Sequence, residues 1–394
     1  MCGQYAKALK LFIQCGDREI DAAIEVVGKS QDEALTRQLI DFLLGEKDGM
    51  PKDPSYIYRL YMALKKYEEA AKTALIIARQ EQDMGNYSIA HGVVFETIRS
   101  LEDAGMQVSL QLRQHFVLLH SYLRIKGLVK AGDHMGAAQM LLRVAQNVSK
   151  FPAHTVNILT STVVECARAG LKASAYEYAV VLMRPEHRPN IDANLKKKIE
   201  AIVRRRTEEK TEQQDEESAC PVSGQMIPVT QLESPATRDA LPMCVVTGRH
   251  MLLDDWCFCP VSKCPALFSA YKRYIDSERE AFRLQQEENN VPMSERVQAT
   301  ALDPVKGKPV ESSDLRLASA EEALKYIKLY NNVLPEKKKK TAEGEVEDGE
   351  GEGKDGSGSP DSKNLTALVA SDKKSKADEK ERERRERRER KARR

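Results

Sequence analysis

Residues 132–137 read Gly-Asp-His-Met-Gly-Ala. A residue that tolerates a left-handed backbone, a bulky side chain two places on and an alanine five places on make the knee between two packed helices. The same spacing recurs at Gly85-Asn-Tyr-Ser-Ile-Ala90, Gly170-Leu-Lys-Ala-Ser-Ala175 and Lys65-Lys-Tyr-Glu-Glu-Ala70. It opens the chain as well, at Gly3-Gln-Tyr-Ala-Lys-Ala8. Glycine ends one helix cheaply, and the small alanine lets the next helix approach its neighbour closely. Between knees the apolar residues fall at helical spacing, as in Ile20, Ile24 and Val27, then Leu112, Phe116, Leu119 and Leu123. Pro51, Pro54 and Pro152 stand where helices should begin or end. The expectation is an all-α fold: a tetratricopeptide-like α-solenoid of about eleven helices over residues 1–206. Because the sequence opens at a knee, the solenoid is expected to continue upstream or to be covered by another chain.

Beyond the solenoid the composition changes three times. Residues 207–219 are acidic with almost no apolar side chain and read as a linker. Residues 220–296 are short, proline-punctuated pieces carrying five of the eight cysteines, and read as a small degenerate zinc-ribbon-like module with a helix over 269–289. Residues 297–335 form a partly helical extension, its last helix over 318–333. Residues 336–394 are a charged tail expected to be disordered, with a Glu/Arg-mixed end compatible with a single solvated helix or coiled coil.

Composition excludes several classes. The formal net charge of +2 gives no overall pull towards nucleic acid. One tryptophan in 394 residues is too few for a WD-type propeller within this chain. The cysteines are too sparse for a disulfide framework, and no apolar run approaches a membrane span. No signal-peptide pattern opens the sequence, so a reducing compartment is expected.

Four places share one motif: Cys220-Pro-Val-Ser223, Ser234-Pro-Ala-Thr237, Cys259-Pro-Val-Ser262 and Val291-Pro-Met-Ser294. With cysteine at both ends each would be a zinc knuckle, and two knuckles close one tetrahedral site. Here the second thiol is a hydroxyl every time, and an alcohol stays protonated at neutral pH. Chain order would pair the first knuckle with the second and the third with the fourth. A rearranged zinc site remains open from Cys244, His250, Cys259 and Cys264. Cys257 is left out because a residue two from Cys259 on a strand faces the other way. The competing reading is that these are buried free cysteines packed as small hydrophobes.

No catalytic constellation emerges. The seven histidines are dispersed, and His115 and His120, close along one helix, read as polar-face or partly buried structural residues. No Gly-rich phosphate loop precedes a helix. Lys196–Lys198 and Arg204–Arg206 read as a solvated face, or a contact for an acidic partner.

Longer stretches carry a resemblance. They include Leu39-Ile-Asp-Phe-Leu-Leu-Gly-Glu46, Arg59-Leu-Tyr-Met-Ala-Leu-Lys65, Ile158-Leu-Thr-Ser-Thr-Val-Val-Glu-Cys166 and Val246-Thr-Gly-Arg-His-Met-Leu-Leu-Asp-Asp-Trp256. Collinearly from about residue 1 to 296, the chain resembles the WD-repeat, solenoid-bearing subunits of intraflagellar transport complex A. That resemblance implies two upstream propellers, this solenoid and a zinc-ribbon end, although the cysteine pairs of such an end have drifted here. It implies a non-catalytic scaffold for retrograde transport, cilium assembly and ciliary membrane-protein trafficking. Partners would be other subunits of complex A and cargo or adaptors, at the cilium or flagellum, the basal body and in the cytoplasm. Two alternatives stand beside it: a U-box or RING-like ubiquitin ligase module, suggested by Cys-Pro-Val-Ser-Gly, and an endomembrane coat or tether.

Overall fold

The computed structural model describes residues 2–46, 49–204, 216–289 and 300–331. The expected tail at 336–394 and the knuckle at 291–294 lie outside them. The described residues are mostly helical, with three short two-stranded hairpins. The chain divides into two compact units. One takes in Met1–Glu81 and Gly92–Met106, the other Gln82–His91 and Gln107–Glu336.

The first unit holds α1 (Cys2–Gln14), α2 (Ile20–Ser30), α3 (Glu33–Leu43), α4 (Pro54–Ala63) and most of α5 (Tyr67–Met84) and α6 (Tyr87–Asp103). Its boundaries follow local chemistry. Asp32 caps α3 by accepting from the amides of Ala34 and Leu35 at 2.8 and 3.3 Å. Pro54 stands at the start of α4, where its missing N–H costs nothing, behind the capping Asp53. The core of this unit is a cluster around Leu9, Ile24, Val27, Leu39, Leu43 and Leu60. Gly28 of α2 faces Ala63 of α4 so closely that a Cβ would sit 3.0 Å from the alanine methyl.

The second unit contains α7 (Leu110–Lys130), α8 (His134–Gln146), α9 (Thr155–Arg168), α10 (Lys172–Leu182) and α11 (Ala193–Arg204). Each packs on the next in sequence. The knees form as expected. Lys65, Gly85, Gly132 and Gly170 all have positive φ. After α4, α7 and α9 the amide three residues past the helix end reaches back five residues, as in Asp133 N to Leu128 O at 3.0 Å and Leu171 N to Cys166 O at 2.8 Å. The alanines five places on, Ala70, Ala90, Ala137 and Ala175, are buried. The exception is Gly3, which falls inside α1 rather than at a turn.

The cysteine-rich segment and the extension after it also belong to the second unit. β1 (Glu217–Ala219) pairs antiparallel with β2 (Met226–Pro228), and β3 (Trp256–Phe258) with β4 (Pro265–Leu267). Then come α12 (Phe268–Glu288), the hairpin of β5 (Ala301–Leu302) and β6 (Pro309–Val310), and α13 (Ala320–Tyr330). β1 takes up residues 217–219, which composition placed in the linker. The extension is tied in by backbone: Ala318 N donates to Trp256 O at 2.7 Å. Ser319 and Glu322 form a capping box that starts α13.

Candidate functional site

The knuckles share one backbone turn. The first residue's N–H donates to the carbonyl five residues on, and the amide four residues on returns to the first residue's carbonyl. At the first knuckle these bonds are Cys220 N to Gln225 O and Gly224 N to Cys220 O, at 2.8 and 2.9 Å. The fifth residue takes positive φ, and Gly224, Arg238 and Lys263 supply it in the three described knuckles named above.

Two further turns of the same form were not recognised from the motif. Cys244-Val-Val-Thr-Gly248 closes with Cys244 N to Arg249 O and Gly248 N to Cys244 O, both 2.8 Å. Asp303-Pro-Val-Lys-Gly307 closes with Asp303 N to Lys308 O at 2.7 Å and Gly307 N to Asp303 O at 2.8 Å. One lacks the proline and the other lacks the cysteine. Glycine at the fifth position, shared with Cys220-Pro-Val-Ser-Gly224, was the available signal.

The first position of a knuckle collects donors. Burial pushes the Cys220 thiol up, but the Ser223 hydroxyl, the amides of Ser223 and Val222, and the Ser234 hydroxyl outweigh it, and the net shift is down. At Asp303 one carboxylate oxygen, Oδ1, accepts from the amides of Val305 and Lys306, both at 2.9 Å. Its other oxygen, Oδ2, accepts from the Ser262 hydroxyl at 2.9 Å and the Ser262 amide at 3.2 Å. Asp303 and Ser262 are 2 % and 0 % exposed. The 259 knuckle is therefore joined to the one at 303.

The four zinc candidates read from the sequence have these surroundings. Cys244 Sγ accepts from the Leu267 amide at 3.3 Å. His250 shares a 2.8 Å hydrogen bond with the Ser218 hydroxyl. Cys259 and Cys264 stand at the two ends of one turn, and burial, followed by the charges of Cys264 and Asp303, pushes the Cys259 thiol well up. Among the described residues no group of three or more His, Cys, Asp or Glu side chains is placed to hold a metal ion. Cys257, Cys259 and Trp256 are fully buried, the tryptophan against Tyr326.

The module is seated on α7 and α8. His120 Nε2 donates to Val245 O at 2.8 Å, and its Nδ1 accepts from His91 Nε2 at 3.2 Å. Arg143 reaches Thr230 O and Gly248 O through Nη2 at 3.1 and 2.7 Å, and Ser121 Oγ through Nη1 at 3.2 Å. Gly248 is where the turn meets α8: a Cβ there would lie 2.7 Å from Met140 Cε. Arg113 and Arg124 on α7 stack over Tyr330 and Tyr274, 4.3 and 4.9 Å from the ring centroids. His115, read like His120 as structural, is buried and bonds Gln82 Oε1 at 3.1 Å. The seat can hold two parts of the chain in a fixed relation.

Comparison with known proteins adds identity by descent. No family profile matches the chain. WD repeat-containing protein 19 of mouse is 52% identical over 282 residues, which is 71% of this chain and 21% of that protein. The human protein of the same name is 51% identical over the same length. WD repeat-containing protein dyf-2 of Caenorhabditis elegans is 37% identical over 273 residues, 69% of this chain and 20% of its own. The chain spans about a fifth of the length of these relatives, and over that stretch it is a homologue of WD repeat-containing protein 19.

Proposed function

We propose that this chain is a non-catalytic scaffold subunit of intraflagellar transport complex A. It serves retrograde transport, cilium assembly and the delivery of membrane proteins to the cilium. The observation that carries this reading is the similarity over 282 residues to WD repeat-containing protein 19. The physics is compatible with it. Stacked helix pairs offer long faces for protein partners and need no bound ligand to do so. Among the described residues no helix is long and apolar enough to cross a membrane. Partners on this reading are other complex A subunits and cargo or adaptors, encountered at the cilium, the basal body and in the cytoplasm. The ligase alternative lacks a supporting contact, since Trp256 is enclosed and unavailable to a conjugating enzyme. The test is to tag the chain in a ciliated cell, image it and identify what co-purifies. Enrichment along the cilium with complex A subunits is expected. Endosomal or Golgi enrichment with coat components would overturn the reading in favour of an endomembrane tether.

A further inference from the structure

We propose that the knuckle module is closed by hydrogen bonds in place of a metal ion, with Asp303 as the residue that joins its second pair of turns. A tetrahedral zinc site of this kind takes the first and fourth residues of two paired knuckles. Those positions hold Cys259 and Ser262 in one turn and Asp303 and Lys306 in the other. Neither a serine hydroxyl nor a lysine side chain belongs to the thiolate, imidazole and carboxylate donors that hold zinc. The first pair, Cys220 with Ser223 and Ser234 with Thr237, offers a single thiol. These donor sets do not fit zinc.

What they do fit is each other. In a metal knuckle the first ligand's sulfur is held by the amides of its own turn, and the ion then links the two turns. Asp303 does both jobs with one carboxylate. Its Oδ1 takes the two amides of its own turn at 2.9 Å, and its Oδ2 takes the amide and hydroxyl of Ser262 at 3.2 and 2.9 Å. All four of these hydrogen bonds converge on one side chain shielded from water, where an unmade bond would leave polar groups stranded. The bond from Ser262 spans 41 residues of sequence, so the carboxylate fastens the β5–β6 hairpin to the cysteine-rich segment. The buried Tyr271 ring of α12 lies beside Cys259 and Asp303, sealing the junction from that side.

The test uses the full chain. Zinc content is measured on the purified protein, and thermal unfolding is followed by the emission of its single tryptophan, with and without a strong chelator. Substoichiometric zinc and an unchanged midpoint are expected. Asp303→Ala should lower the midpoint by about 3 °C or more, as expected for losing several buried hydrogen bonds in a unit of this size. The loss should shrink when Ser262→Ala is already present, since the two act as one contact. If Asp303→Ala does not fold, Ser262→Ala alone gives the same reading: a lowered midpoint supports the brace. One zinc per chain with a midpoint that falls on chelation would overturn the proposal. So would an unchanged midpoint in the alanine variants.

Discussion

The buried pair His91 and His120 has one way to arrange its protons. Val245 O can only accept, so His120 must carry its hydrogen on Nε2 and accept at Nδ1 from His91 Nε2–H. Burial holds His91 down to about 4, and burial together with the neighbouring His91 and Arg124 holds His120 well below the usual range, despite the bond to Val245. A histidine whose folded pKa lies below its unfolded value of 6.5 contributes its full stability above that value. The contribution is lost as pH falls from there towards 4, because the unfolded chain takes up protons the folded one refuses. For His91 the shift corresponds to roughly 3 kcal/mol at neutral pH. Unfolding midpoints should therefore drop steeply between pH 6.5 and 4. His120→Leu should flatten that slope, and an unchanged slope would rule out the pair as its source. Arg143 is a second exacting residue. Lysine cannot reach Thr230 O and Gly248 O together, so Arg143→Lys should cost about 2 kcal/mol in chemical denaturation even though charge is kept.

At the scale of elements, the knees were legible because each is local. A turn residue, a bulky residue and an alanine lie within six positions, and steric rules act on them wherever the chain goes. The knuckles were partly legible for the same reason, and the misses were substitutions within that pattern. Cys244-Val-Val-Thr-Gly has no proline, and Asp303-Pro-Val-Lys-Gly has a carboxylate where a thiol was sought. The partner of the 259 turn was not legible. The 259 turn joins the 303 turn, a tertiary fact that no local rule encodes. The place of α13 was equally hidden. Its amphipathic spacing announced a helix but not its seat. That seat is built from Tyr326 against Trp256 and Phe258, and from Asn331, whose side-chain amide accepts from Ala240 N at 2.8 Å and donates to Ala240 O at 3.0 Å. Ending the chain after residue 318 should therefore uncover Trp256, shifting its emission to the red and raising its quenching by acrylamide. Ending it after residue 331 should change neither.

Across the whole molecule, charge is the property that the average conceals. Residues 373–394 hold thirteen Lys or Arg and six Asp or Glu, an excess of seven positive charges. The chain as a whole carries only +2, so the rest of it is net −5. One molecule thus has an acidic body and a basic end. A long-range field of that kind governs association with charged surfaces, and it is screened beyond about 10 Å at 0.1 M salt. The basic excess is the part suited to anionic partners such as the acidic tails of tubulin or a membrane rich in anionic lipid. Removing residues 373–394 should move the chain at neutral pH from cation-exchange to anion-exchange retention. The same deletion should weaken co-sedimentation with microtubules, and the difference from the full chain should vanish as salt is raised. Equal sedimentation of the two at low salt would show that the basic end makes no such contact, and would return the search for partners to the helical faces.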